Sequence, residues 1–148
     1  MVLSSAVVAC GYRLKPIQNG NKSRVEQLQS IAKNYVTALG SGNFDLIQYH
    51  DQVSLRAPLN SSGPSKPIVG KENIRVEWWA PLPQLVKGTT FIDSYFNKDL
   101  TSVAVGFNCD IAQPSCRLRI LDRFRIDGDG KITHQENFFD PSPLTNPD

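Results

Sequence analysis

The chain has 148 residues, 16 Lys and Arg against 14 Asp and Glu, and a hydrophobic share of 40%. That apolar content excludes a disordered chain, and no apolar run is long enough to span a bilayer. A formal charge of +2 gives no electrostatic case for a nucleic acid partner. One domain of this length buries enough surface to fold alone.

Residues 1–21 read as an irregular lead-in ending in Asn19-Gly20-Asn21. Within it, Val7-Val8-Ala9-Cys10 has the small-apolar-then-Cys pattern of a lipoprotein cleavage box, but no basic residue precedes it. The expectation is a cytoplasmic protein whose apolar N-terminal segment packs on the domain. Export or lipid anchoring is the alternative if the start is misassigned. One domain then covers 22–140, and 141–148 form a tail.

Ser23, with Glu26 three residues later, forms a capping box that starts a helix. Val25, Leu28, Ala32, Tyr35, Val36 and Leu39 recur at helical spacing, and Gly40 supplies the stop. Asn43 caps a shorter helix through about His50, with Phe44 and Ile47 on its apolar side. Val53, Leu55 and Ala57 alternate with Ser54 and Arg56, which predicts a strand stopping at Pro58. A loop from Leu59 to Pro67 leads to a third helix after Gly70, with Ile74 and Trp78 on one side and Pro81 and Pro83 ending it.

Strands follow at about 89–97, 101–112, 115–127 and 131–139, with tight reversals at Asn97-Lys98-Asp99 and Asp127-Gly128-Asp129-Gly130. Three helices before a meander of long strands make an α+β pattern. Cys109 and Cys116 flank one hairpin turn, so they read as two half-buried thiols or as a disulfide. With no CxxC pair and two histidines, no zinc site is expected, and no cofactor.

The strand from Cys116 to Ile126 carries the sharpest signal. Cys116, Leu118, Ile120, Asp122, Phe124 and Ile126 share one face, while Arg117, Arg119, Arg123 and Arg125 point the other way. Asp122 therefore sits in an apolar row facing the core. A carboxyl there must be paired or stay protonated with a raised pKa, and such groups are enriched at functional sites. Tyr35 lies on the buried helix stripe and needs a partner for its hydroxyl. Two donors of this kind facing one cavity can hold a developing enolate or carbonyl oxygen.

The element order resembles the cone-shaped fold of nuclear transport factor 2 and ketosteroid isomerase, a curved antiparallel sheet wrapped around N-terminal helices. The supporting stretches are Asn34-Tyr35-Val36-Thr37-Ala38-Leu39 with Gly42-Asn43-Phe44-Asp45, and Leu121-Asp122-Arg123-Phe124-Arg125 with Gly130-Lys131-Ile132. The nearest likeness is to ketosteroid isomerase-like and SnoaL-like polyketide cyclase-like proteins, over about residues 24–140. The resemblance implies that Tyr35 and Asp122 form the oxyanion pair, the arrangement for which ketosteroid isomerase is a standard example.

The same resemblance exposes a departure. The isomerases carry a general-base aspartate before a proline, and here Ala57 precedes Pro58. It also turns Gln135, Asn137 and Phe139 inward, with Asn137 near the water-activating aspartate of limonene epoxide hydrolases. The Arg and Asp that accompany that aspartate are not reproduced, because alternation turns Val105, Phe107 and Cys109 inward and Asp110 outward. Leu55, Ala57, Trp78, Phe107, Leu118, Ile120, Phe124, Asn137 and Phe139 are the expected ligand-binding residues. The implied function is binding of a small hydrophobic molecule, with isomerisation, cyclisation or dehydration of a ketone or polyketide-like substrate. A binding or dimerisation module that has lost the base is the alternative. A homodimer through the arginine-bearing sheet face is expected by the same resemblance.

Overall fold

The computed structural model describes residues 19–147; the lead-in with Val7–Cys10 lies outside the described residues. Helix α1 runs Asn19–Ser41, so Ser23 sits inside the helix rather than capping it. Its buried stripe includes Leu28, Ile31, Ala32, Tyr35, Val36 and Leu39.

The helix runs one residue past Gly40, to Ser41, and the glycine that ends it is Gly42. Gly42 takes the left-handed conformation (φ 66°), and the Asn43 N–H returns to the Ala38 carbonyl at 3.0 Å. That pair of features is a Schellman ending. Gly40 has a different duty: a Cβ there would stand 2.4 Å from Thr89 Oγ1, whose hydroxyl donates to the Val36 carbonyl. The missing side chain lets the helix and the sheet touch.

Asn43 caps only a single 3-10 turn, Phe44–Leu46, by accepting from the Asp45 N–H. Ile47 is already extended, so the expected helix to His50 gives way to β1, Tyr49–Arg56. A two-residue strand, β2 (Ile68–Val69), interrupts the expected loop-to-helix passage and pairs with β1. Helix α2 (Lys71–Ile74) then widens into a π turn, Arg75–Trp79. At its two ends Ile74 and Trp79 are both buried, while Trp78 is left half-buried. After α3 (Leu82–Leu85) come β3 (Val86–Phe96), β4 (Ser102–Ile111), β5 (Cys116–Ile126), β6 (Ile132–Phe138) and a helical turn, α4 (Ser142–Thr145).

The six strands form one curved sheet in the order β2-β1-β6-β5-β4-β3. All neighbours are antiparallel except β1 and β6, so the sheet is mixed rather than wholly antiparallel. Parallel pairing needs a long crossover, and here most of the domain lies between the two strands. Helix α1 packs its apolar stripe on β3 and β4.

Period-two alternation holds along β4 and β5, which turn Val103, Val105, Phe107, Leu118, Asp122 and Phe124 inward. On β6 a register shift lies between Arg125↔His134 and Ile126↔Ile132, and the extra residue reverses the parity. Ile132 is therefore buried together with Gln135 and Asn137. Cys109 and Cys116 are free thiols; they pair with Leu118 and Ile111, not with each other. The four arginines of β5 are exposed, with Arg117 bound to Asp110 at 2.6 Å and Arg123 to Glu136 at 3.3 Å.

Candidate functional site

A cavity of about 230 Å3 lies among α1, the α2–α3 segment and the inner face of β4 to β6. Its walls are mostly apolar and include Leu39, Trp78, Leu82, Leu118, Ile120 and Phe139. Its polar side chains are few: Tyr35, Asp122 and Asn137 at the buried end, and Glu77 where the wall meets solvent. Among the described residues, no Lys, Arg or His lines it.

The fold delivers each polar group by simple periodicity. Asp122 and Asn137 are direct partners across β5 and β6, so their side chains leave the sheet side by side. Tyr35 comes from the stripe of α1. Its ring stands edge-on to Phe124, centroids 4.7 Å apart, and to Phe107 at 6.1 Å. Those contacts fix the ring and leave the hydroxyl to reach the polar cluster.

Asp122 is 1% exposed, and its Oδ1 has no hydrogen-bond partner among the described residues. Burial pushes its carboxyl up to about 8, against smaller lowering effects of the Tyr35 hydroxyl and the Phe138 backbone. Tyr35 is thus near enough to act on the carboxyl, although its hydroxyl leaves Oδ1 unsatisfied. Burial first, and the Asp122 charge second, hold the Tyr35 phenol well above its ordinary range. Near neutral pH both groups therefore carry a proton and can donate. Burial pushes the Cys109 thiol, also in the wall, up to about 12, so it offers surface rather than a nucleophile.

Behind the cavity, Gln135 ties the cluster together. Its Oε1 accepts from the Tyr49 hydroxyl, and its Nε2 donates to Tyr35 Oη at 3.0 Å and to Asn137 Oδ1 at 2.8 Å. Burial also raises the Tyr49 phenol. The Trp79 indole N–H lies close enough to Tyr49 to favour its anion but lacks a hydrogen bond of good geometry.

Of the residues expected from sequence, Tyr35, Asp122, Trp78, Leu118, Ile120, Asn137 and Phe139 line this cavity. Leu55, Ala57, Phe107 and Phe124 do not; they are buried in the core, where Phe107 and Phe124 form the bed of Tyr35. Tyr49 in the polar cluster, and Glu77, Leu82 and Leu144 in the wall, were not singled out from the sequence, and Trp79, the alternative to Trp78 for the lining, lies in the polar cluster instead. Carrying the Val53–Leu55 alternation back would have reached Tyr49, but exposed Asp51 interrupts it.

Among the described residues, no three His, Cys, Asp or Glu side chains are grouped to hold a metal. No described helix is long and apolar enough to cross a membrane.

No family model and no curated protein matches the sequence. Solved structures do match in shape. A Bacillus subtilis protein provisionally described as an isomerase is 16% identical, covering 80% of this chain and 89% of its own, with a TM-score of 0.66. A SnoaL-like protein of unknown function from Burkholderia thailandensis is 18% identical over 85% of this chain and 99% of its own, at 0.64. A Mycobacterium tuberculosis protein in complex with estradiol-17beta-hemisuccinate is 11% identical over 77% of this chain and 94% of its own, at 0.64. With these neighbours, the curved mixed sheet and its N-terminal helices are the fold of NTF2-like and SnoaL-like proteins.

Proposed function

We propose that the cavity binds a small, neutral ketone-, enone- or phenol-like molecule and polarises its oxygen with Tyr35 and Asp122. The chemistry so assisted is isomerisation, cyclisation or dehydration through an enol-like state. The observation that carries this reading is Asp122, a buried carboxyl with an unpartnered oxygen in an apolar cavity beside Tyr35. Neutral donors stabilise charge that develops on a ligand oxygen, and they do so best where water is excluded. With no cation among the described residues of the wall, a ligand with a permanent negative charge would meet no counter-ion there. At about 230 Å3 the space is below the common range of roughly 300–1,000 Å3, which favours a compact one- or two-ring molecule. The steroid ester bound by the Mycobacterium tuberculosis neighbour supports an apolar ring ligand for this fold. Native mass spectrometry of the purified chain, followed by titration with 2-naphthol, tests the reading. Saturable binding is expected, and its absence would reject the cavity as a site.

A second reading, binding without turnover, is favoured by one observation. Ala57, at the position the resemblance gives to the general base, is buried outside the cavity, and among the described residues the only other carboxylate in the wall is exposed Glu77. Turnover of a β,γ-unsaturated ketone by the unmodified chain separates the two.

The outer sheet face supports a homodimer. Leu121 and Phe138 are cross-strand partners there and are 42% and 46% exposed, an apolar pair that a second copy would cover. Two of the four β5 arginines already have acceptors within the chain, so apolar burial, rather than charge, is the expected driving force. Leu121→Glu should convert a dimer to a monomer in sedimentation; a monomeric wild type at micromolar concentration would reject the dimer.

A further inference from the structure

Gln135 is 3% exposed and stands behind the cavity without lining it. Both ends of its amide have partners: Oε1 accepts from the Tyr49 hydroxyl, and the two Nε2 hydrogens go to Tyr35 Oη and Asn137 Oδ1. An amide can also sit reversed in the same space, since its oxygen and nitrogen are nearly equal in size. Reversal would change the chemistry of the cavity. Oε1 would then face Tyr35 and Asn137, accepting the single Tyr35 proton and a hydrogen of Asn137 Nδ2. The Tyr35 proton would be spent inside the protein, not on a ligand.

Tyr49 decides between these states. In the observed one its proton has an acceptor. In the reversed one, Nε2 would donate to the Tyr49 oxygen, and the Tyr49 proton would need somewhere else to go. Of the other groups that act on it, Trp79 Nε1 is only a donor with no partner of its own, and Asp122 acts on Tyr49 through its charge, without a hydrogen bond. Reversal would therefore strand a buried donor, which is costly.

We infer that Gln135, held in one orientation by Tyr49, is a positioning residue that keeps Tyr35 and Asn137 as hydrogen-bond donors into the cavity. This rests on the reading that the cavity binds an acceptor oxygen. It adds that the preference for acceptors is set by two residues that touch no ligand.

The test titrates the full chain at pH 6 with substituted phenols of increasing acidity, and with naphthalene as a probe lacking oxygen. Wild type is compared with Tyr49→Phe and Gln135→Glu. Tyr49→Phe keeps the ring that packs on Phe44 at 5.6 Å and removes only the hydroxyl. Gln135→Glu keeps the shape, but a carboxyl kept protonated by burial offers one hydrogen in place of two, so Tyr35 or Asn137 must turn a hydrogen inward to it. Both variants should lose about tenfold or more in affinity for the acidic phenols, and their affinity should respond less to phenol acidity. Naphthalene binding should be unchanged. If wild type binds phenols and both variants match it, Gln135 is only filling space. A parallel loss for naphthalene would likewise overturn the inference, by assigning the effect to packing. Should Gln135→Glu not fold, Tyr49→Phe alone decides, by the same two comparisons. If wild type binds no phenol at all, the proposed function fails first, which is a separate outcome.

Discussion

Asp122 and Asn137 stand opposite one another on β5 and β6, both buried, and the Asn137 oxygen is already taken by Gln135. What Asn137 has left to offer the cavity is its N–H2 group. An ionised Asp122 would draw on such donors, whereas a protonated Asp122 leaves them for a ligand. The protonation state of one carboxyl thus sets the character of the whole buried end.

That state makes stability depend on pH. The Asp122 carboxyl is raised from 3.8 to about 8 by burial, so the folded state holds a proton that the unfolded state has released. Its contribution is complete below the unfolded value and is lost as pH rises through the folded one. Across that window each pH unit should lower stability by about 1.4 kcal/mol. Urea unfolding from pH 5 to 9 should show this slope in wild type and lose it in Asp122→Asn. Parallel slopes would mean that Asp122 is ionised when folded.

Removing the donors separates packing from chemistry. Tyr35→Phe keeps the edge-on contacts with Phe107 and Phe124 and deletes the hydroxyl alone. It and Asp122→Leu should each weaken an acidic phenol by about 1.5–3 kcal/mol, the worth of a hydrogen bond to a charged group. If the chain turns over a ketone, loss of one such donor should raise the barrier by roughly 2.7–4 kcal/mol. Calorimetric titration that finds equal affinities in all three proteins would reduce the pair to core packing.

Much of this site was legible because β5 alternates without a break for 11 residues, so the direction of Asp122 follows from parity alone. Tyr35 was legible for the same reason on a helical period. Legibility ended where local geometry inserts a residue. The shift near Thr133 reverses the parity of β6, so Gln135 and Asn137 could be turned inward only by resemblance. The π turn at Arg75–Trp79 buries Trp79 and leaves Trp78 half-buried in the cavity wall, where a regular helical period gives no reason to separate the two. The parallel pairing of β1 with β6 joins segments far apart in the chain, and no nearby residue encodes it. Leu55 and Phe107 were correctly turned inward, but inward faces hold both core and cavity. Parity does not say which.

The two glycines at the end of α1 should fail for different reasons. Gly42→Ala forces a side chain into the left-handed region, which should cost about 1 kcal/mol, and sets its Cβ 3.1 Å from Pro83 Cβ, away from Thr89. Gly40→Ala places a Cβ against Thr89 Oγ1 and should cost roughly 1–3 kcal/mol, as overpacking does. Adding Thr89→Ala should recover part of the Gly40→Ala loss and none of the Gly42→Ala loss. Two thermal-unfolding cycles, on six proteins including wild type and Thr89→Ala alone, check this, and equal recovery in both would refute the contact.

Ala57→Asp puts a carboxylate at the position where the resemblance expects a base. In this fold Ala57 is 2% exposed and its side chain belongs to the core, not to the cavity wall. A carboxylate there meets an apolar interior without a counter-ion, so it should protonate or unfold its surroundings rather than take a proton from a ligand. The expected outcome is a loss of about 3 kcal/mol or more in stability at pH 8, smaller at pH 5, with no gain in isomerisation. The pH difference follows from sign: a raised carboxyl pKa costs most where the unfolded chain would be ionised. Leu118→Asp, which does stand in the wall beside Asp122's strand neighbours, is the matching control for a carboxylate that can reach a ligand. Measurable isomerase activity in folded Ala57→Asp, above that of the control, would show that the cavity extends to Ala57 when occupied.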